Sequence, residues 1–410
     1  MLVFLIEYII RCFNIKVPLV FYYSSTRMML AAMTSLIFVI FLGPYFIKKL
    51  YQFKIGENVR TVSDCPTLAK LHNKKKDTPT MGGVLIICSI LISLVLWMDL
   101  SKTFTIILLF TTLFLGGVGG LDDFLKLKYK NSKGLKSRYK FLLQVLFGCL
   151  IASYLLFPSI TSFISQKTTY SAPTAKEYSY KYQTSSHKFL EKVNKLKTKE
   201  YISRIYIPFF KDPILILKGS MIFVLFIWIV FVVVGSSNAV NLTDGLDGLA
   251  SGCIIMVACV LALLAFLSNH VQMAKYLNIL YIKGSGEIAI YLCAIAGAVL
   301  GFLWYNGYPA QVFMGDTGSL SLGGILGVSA ILLKREILLG LVGGIFVIEA
   351  LSVILQVLSF RFRNKKRLFL CAPLHHHFEY KGWPETKVTL RFWIVGLLLA
   401  IIGISSIKFQ

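Results

Sequence analysis

The sequence predicts an all-α, polytopic membrane protein with about ten transmembrane helices and its polar site on the cytoplasmic face. Three observations predict it. Of 410 residues, 56% are hydrophobic and 15% charged, and the mean hydropathy is +0.71, outside the range of water-soluble domains. Apolar runs of about 20 residues, the length that carries a helix across roughly 30 Å of hydrocarbon, recur along nearly the whole chain. The net charge of +24 gathers in the loops between those runs, where Lys and Arg orient a membrane protein and meet anionic membrane lipid. That placement argues against nucleic acid as a partner.

The elements follow in order. Met1 to Phe13 is apolar but interrupted by Glu7 and Arg11, which predicts an interfacial helix rather than a cleaved signal. Runs bounded by charge or turn residues then place spans near 28–49, 82–98, 103–120, 139–157, 214–235, 248–268, 286–304, 317–333, 336–360 and 389–407. The loops after the first, third and ninth spans are basic: Lys48 to Lys76, Lys126 to Lys140, and Arg361 to Arg367. The positive-inside rule puts all three in the cytoplasm. Four polar clusters follow spans three, five, seven and nine, so all four fall on that same face. The chain divides into residues 1–157, a polar insertion at 158–212, and residues 213–410. The insertion holds ten Lys or Arg residues, yet long loops cross regardless of charge, so it is expected outside and only partly ordered. The eight Cys residues show no metal or disulfide spacing and read as small core residues.

The clusters carry the chemistry. Asp122 and Asp123 follow Gly116-Gly117-Val118-Gly119-Gly120, with Lys126 one turn on; adjacent carboxylates at a membrane boundary must be paired, metal-bound or open to water. Asn238 to Gly248 places two Asn and two Asp within a few positions, a set of short oxygen-bearing side chains suited to a cation or a nucleotide; the plain structural alternative has Asp247 capping the next helix. Asp316, in Phe313-Met314-Gly315-Asp316-Thr317-Gly318-Ser319, is either an N-cap or a metal ligand. A few Asp residues without a Cys or His cage suit Mg²⁺, which takes one or two carboxylates, substrate phosphates and water. His375, His376 and His377 are adjacent and so cannot all serve one tetrahedral ion; donation to phosphate oxygens fits them better. Lys74 to Gly83, with Lys75 and Thr80, opens the second span with anion-favouring groups.

Taken together, TPTMGG at 78–83, DD at 122–123, NAVNLTDGLDGLA at 238–250, FMGDTGS at 313–319 and APLHHHFEYKGWPETKV at 372–388 resemble the phospho-N-acetylmuramoyl-pentapeptide transferase family. That family lies within the polyprenyl-phosphate N-acetylhexosamine-1-phosphate transferases, also called glycosyltransferase family 4. The resemblance implies a Mg²⁺-dependent step of bacterial peptidoglycan synthesis at the cytoplasmic (inner) membrane. In it, phospho-MurNAc-pentapeptide passes from UDP-MurNAc-pentapeptide to undecaprenyl phosphate, giving lipid I and UMP. It implies that Asp316 and Asn241 are Mg²⁺ ligands, and that Asp122 and Asp123 are the acids at the polyprenyl phosphate. It further implies that Asn241, Asp244, Leu246 and Asp247 line the nucleoside pocket, that Phe313 stacks on uracil with Lys75 nearby, that Lys126 and Lys140 touch phosphate, and that His375 to His377 are essential. Homodimerisation is also what the family implies. The 158–212 segment departs from its usual short turn.

Two rivals remain at this stage. A sister transferase using UDP-N-acetylglucosamine would share the Asp motifs, but the His trio and Gly382-Trp383 argue against it. An ion-coupled transporter would carry acids near mid-span and repeated halves, whereas these acids gather at helix ends.

Overall fold

A computed structural model describes residues 12, 19–52, 78–129, 134–167, 170–183, 188–363 and 365–408. The N-terminal interfacial helix and Lys75 expected from the sequence lie outside the described residues.

The apolar runs become helices because a backbone in hydrocarbon must satisfy its own hydrogen bonds. In chain order they are α1 (Ser24–Gln52), α2 (Gly82–Trp97), α3 (Thr103–Lys128), α4 (Ser137–Leu156), α5 (Ile222–Thr243), α6 (Leu249–Ser268), α7 (Gly286–Asn306), α8 (Gly315–Leu333), α9 (Gly344–Phe362) and α10 (Glu385–Lys408). Nine are long and apolar enough to cross a membrane, and α2, at 16 residues, is the shorter tenth. The all-α membrane fold read from the sequence therefore holds. The ninth run, read as one span over 336–360, is instead broken: a short helix at Glu336–Val342 stops before Gly343, and α9 starts at Gly344. Two consecutive glycines supply the break.

Helix α8 is the axis of the bundle. Its hydrophobic window is 94% buried, against 28% for α1, α5 and α9. It packs against α3, α5 and α2, while α7 packs against α1 and α6. Small residues let these helices approach closely: a Cβ at Gly297 of α7 would lie 2.1 Å from the Ala32 carbonyl of α1. Outward faces keep large apolar side chains such as Phe41, Phe231, Trp304 and Phe362 exposed, as a lipid-facing surface requires. Among the described cysteines, all read from the sequence as core residues, Cys253 is the buried one, while Cys88 and Cys259 are exposed on the bundle exterior.

The described residues of 158–212 form regular structure that their composition does not predict. After a helix at Pro158–Lys167, strands β1 (Ala175–Gln183) and β2 (Lys188–Leu196) pair antiparallel from Ala175↔Leu196 to Gln183↔Lys188. The pairs β3 (Arg204–Ile205) with β4 (Leu215–Ile216), and β1 with β5 (Tyr281–Ile282), complete the module. Tyr178, Tyr180 and Tyr182 alternate at the period of a strand, a signal that the polar composition masked. The module sits at the start of α3, where Thr103 Oγ1 donates to the Ser171 carbonyl. That is the opposite end of α3 from Asp122.

The same end of the bundle holds a buried ion pair. Arg27 of α1 donates to Glu287 of α7 at 2.8 and 3.0 Å and to the Trp97 carbonyl of α2 at 2.7 Å. Both side chains are buried, so removing one partner strands the other charge. Arg27→Met is expected to destabilise the fold by about 3 kcal/mol, read as thermal melting in detergent. Arg27→Met with Glu287→Gln should recover part of that loss, and strict additivity of the two would show that the pair is not coupled.

Candidate active site

The site is built on the first turn of α8. Helices leave their first N–H groups without intrahelical acceptors, and Asp316 does not cap its own helix. Asp123 of α3 does so from across the interface. Its Oδ1 accepts from the Asp316 N–H at 3.2 Å, and its Oδ2 accepts from the Thr317 N–H at 2.9 Å and the Thr317 hydroxyl at 2.6 Å. The approach is close enough that a Cβ on Gly119, one turn before Asp123, would lie 2.2 Å from the Asp316 carbonyl oxygen. The glycine run before the Asp pair is thus what lets α3 touch α8.

With Asp123 so used, Asp122 and Asp316 face the charge. Asp122 Oδ1 accepts from the Leu135 N–H at 2.7 Å, and its Oδ2 is 2.7 Å from Lys126 Nζ and 3.6 Å from Lys140 Nζ. Both ammoniums also lie 2.7 Å from Asp316 Oδ2. Asp316 Oδ1 accepts from Asn241 Nδ2 at 2.5 Å, and the same amide reaches Ser319 Oγ at 2.8 Å. Asp122, Asp123 and Asp316 each offer an oxygen within 4.8 Å of the others. Three carboxylates facing two ammoniums leave this buried cluster net negative, and its all-oxygen donor set suits a hard divalent cation.

Sequences far apart supply the walls. The Phe313 N–H donates to the Pro79 carbonyl, and the Gly82 and Gly83 N–H groups donate to the Phe313 and Met314 carbonyls, each at 2.8 Å. This ladder sets Thr80 beside the cluster, since a Cβ at Gly315 would lie 2.8 Å from Asp123 Oδ2 and 3.0 Å from Thr80 Oγ1. Phe313 is half-buried in the same strip. Beyond Asn241, Asp244 and Gly245 are half-buried while Leu246 and Asp247 are buried. Asp247 does not cap α6: its Oδ2 accepts from the Ala310 N–H at 3.0 Å, and its own N–H donates to Glu385 at 2.7 Å. Asn306 Oδ1 then takes the Gly248 N–H and the Ser251 hydroxyl. The loop is held from α7 and α10 at once.

The three histidines, on a short helix at Leu374–Tyr380, take three different partners, with the His375 and His376 rings meeting edge to face at 4.2 Å between centroids. His375 is fully buried; its N–H donates to Glu349 Oε1 at 3.1 Å, and its Nδ1 lies 3.1 Å from Glu349 Oε2. Its Nε2 presses on the 238–248 loop, where a Cβ at Gly245 would come within 2.3 Å. His376 Nδ1 pairs with Glu379 at 2.7 Å. His377 Nδ1 accepts from the Leu370 N–H at 3.1 Å, which leaves Nε2 as the ring's donor, and partial burial followed by the Lys381 charge lowers its pKa. Trp383 stacks on Phe378 with centroids 4.7 Å apart, and the Arg391 guanidinium lies 4.3 Å from the Trp383 ring centre.

The structure therefore gathers Asp122, Asp123, Asp316, Lys126, Lys140 and Asn241 into one cluster, with Thr80 alongside. It sets Phe313, Asp244, Leu246 and Asp247 along the adjoining wall, and it brings His375 against Gly245 in that wall. Sequence reasoning missed Glu349, Asn306 and Glu385. Glu349 had a signal, being the lone acid in the apolar run of α9, where an ionisable residue is expected to have a purpose. Asn306 and Glu385 had none, because each acts only through a loop that folding brings to it.

The chain matches the model of glycosyl transferase family 4 over residues 105–334 and the phospho-N-acetylmuramoyl-pentapeptide-transferase signature 1 over residues 75–87. It is 62% identical to a phospho-N-acetylmuramoyl-pentapeptide-transferase of Protochlamydia amoebophila over 411 residues, covering 100% of both chains. It is 45% identical to the protein of that name from Thermodesulfovibrio yellowstonii over 391 residues, covering 95% of both. The first match runs end to end, so that relative carries a counterpart of residues 158–212 and the segment is no peculiarity of this chain. With the matched model spanning more than half the sequence and the carboxylate cluster at its heart, the chain belongs to the phospho-N-acetylmuramoyl-pentapeptide transferase family.

Proposed function

We propose that this transferase moves phospho-MurNAc-pentapeptide from UDP-MurNAc-pentapeptide to undecaprenyl phosphate, forming lipid I and releasing UMP. The observation that carries the reading is the convergence of Asp122, Asp123, Asp316, Lys126, Lys140 and Asn241 at one end of a bundle of membrane-length helices. Such a site serves one soluble and one lipid substrate. The basic residues Lys126, Lys136, Arg138 and Lys140 flank it, which supports placing this end in the cytoplasm of a bacterial inner membrane.

In the reaction, an oxygen of the acceptor phosphate attacks the sugar-bearing phosphorus of the donor pyrophosphate, and the bond to the uridylate oxygen breaks. Two phosphate-bearing substrates repel one another, and Lys126 and Lys140 offset that repulsion while holding the acceptor in line. Asp122 is the group to hold the acceptor's proton, because its Oδ2 faces the Lys126 and Lys140 ammoniums that would bind the acceptor phosphate, whereas both oxygens of Asp123 are turned to the first turn of α8. Asp123 fixes where Asp316 stands. Mg²⁺, held by Asp316 with Asn241 beside it, would supply a Lewis acid that neutralises the phosphoryl oxygens. The half-buried Phe313 and the 241–247 loop form the wall against which the uridine would lie.

Three outcomes are expected of purified protein in detergent. UMP should be released with undecaprenyl phosphate and UDP-MurNAc-pentapeptide but not with UDP-N-acetylglucosamine; EDTA should abolish release, added Mg²⁺ should restore it, and Asp316→Asn should lower it about a hundredfold or more. Release from the other sugar alone would move the chain to the sister activity. Gly119→Ala must push α3 off the first turn of α8, so a loss of about a hundredfold in kcat is expected from displacement near 1 Å, with the protein still inserted and monodisperse. Replacing residues 178–193 by a short turn should leave UMP release within about twofold, since that hairpin sits at the far end from the cluster; an inactive but folded deletion would refute this.

A further inference from the structure

The end of the bundle away from the carboxylates carries a run of buried charge that the transfer reaction does not use. Lys334, Arg335 and Glu336 follow α8 directly and are 1%, 8% and 4% exposed. Lys334 Nζ donates to Glu336 Oε1 at 2.5 Å, and the same carboxylate charge acts on Arg335, so two buried cations share one acid and one positive charge is left over. Among the described residues no carboxylate pairs with the Arg335 guanidinium. Its neighbour is the face of the Tyr206 ring, 5.9 Å from Cζ to the ring centre. Isolated charge at such depth costs several kcal/mol unless something replaces the lost hydration. A cation–π contact at that distance offsets only part of it.

Arg335 lines a small cavity together with Tyr206, Lys211, Ser268, Asn278 and Lys334. The Tyr206 hydroxyl is buried and finds no acceptor. The polar part of the lining is thus rich in donors and positive charge, with a guanidinium, the Lys211 ammonium, a phenol, a hydroxyl and an amide, and Ile279, Leu280 and Leu333 complete it. The room for an occupant's centre is about 10 Å³, which admits one water-sized particle and no polyatomic anion. A single water is the competing occupant.

We propose that this cavity binds a single monatomic anion of the chloride class, held chiefly by Arg335, with Lys211 and the Tyr206 hydroxyl completing its shell. The charge count favours an anion over water, because water leaves the surplus buried positive charge unbalanced. Tyr206 comes from the segment between β3 and β4, Asn278 from the turn before β5, and Arg335 from the end of α8. The ion therefore ties the outer module to the central helix, and its effect is on stability, which rises with ligand occupancy.

The test is thermal melting of the full-length protein in detergent, titrated with sodium chloride or bromide against sodium gluconate and sodium sulfate at matched ionic strength. A saturable rise in Tm with chloride and bromide alone is expected, abolished by Arg335→Gln. Lys211 is exposed, so Lys211→Gln will fold, and it should raise the half-saturating chloride concentration several-fold; it decides the matter if the Arg335 variant fails to fold. Anomalous scattering from bromide in the cavity would confirm the occupant. Equal melting in chloride and gluconate overturns the proposal and leaves water in the cavity, and an equal shift with sulfate reduces it to a general salt effect.

Discussion

The hydrogen bonds from the first turn of α8 to the Asp123 carboxylate are the contact on which the site depends. A capped helix start is worth about 1 kcal/mol when the cap is local. Here the cap arrives from another helix, so the same bonds also fix the separation and rotation of α3 against α8. Two Asp residues adjacent in sequence acquire different tasks from this. Asp123 is spent on structure, which leaves Asp122 and Asp316 to face Lys126 and Lys140.

Hydrocarbon around the bundle explains why the polar groups segregate. An unpaired charge or backbone group is expensive there, so charges gather toward the two ends, and Glu349 inside α9 meets His375. One end holds the carboxylates and lysines. The other holds Arg27 with Glu287, and Lys334 with Glu336, under a small β module. Small residues between the ends do a different job: Gly119, Gly83 and Gly297 admit backbone approaches that any Cβ would block.

The wall beside the cluster is assembled from segments more than 200 residues apart, residues 79–83 against 313–314. The 241–248 loop is pinned by Asn306, Ala310 and Glu385 and backed by His375, which is itself held by Glu349. A rigid wall of this kind suits recognition of a flat base, since little ordering is left to be done on binding.

By itself the sequence determined the ten apolar runs, the helical class and the gathering of Asp122, Asp123, Asn241 and Asp316 at one end, because span length and alternation follow directly from the thickness of a bilayer. It also determined the family, since five motifs in fixed order leave little room for another. Only the tertiary structure decided that Asp123 caps α8, that Asp247 holds Ala310, that the three histidines take different partners, and that Glu349 stands behind His375. Each of these is a choice of partner between helices, and periodicity within one helix carries no information about which neighbour a side chain will meet. The hairpin at 175–196 lay between the two cases: alternating tyrosines were there to be read, but a polar composition hid them, and pairing with β5 through Ala175 and Lys176 is what anchors the strands to the bundle.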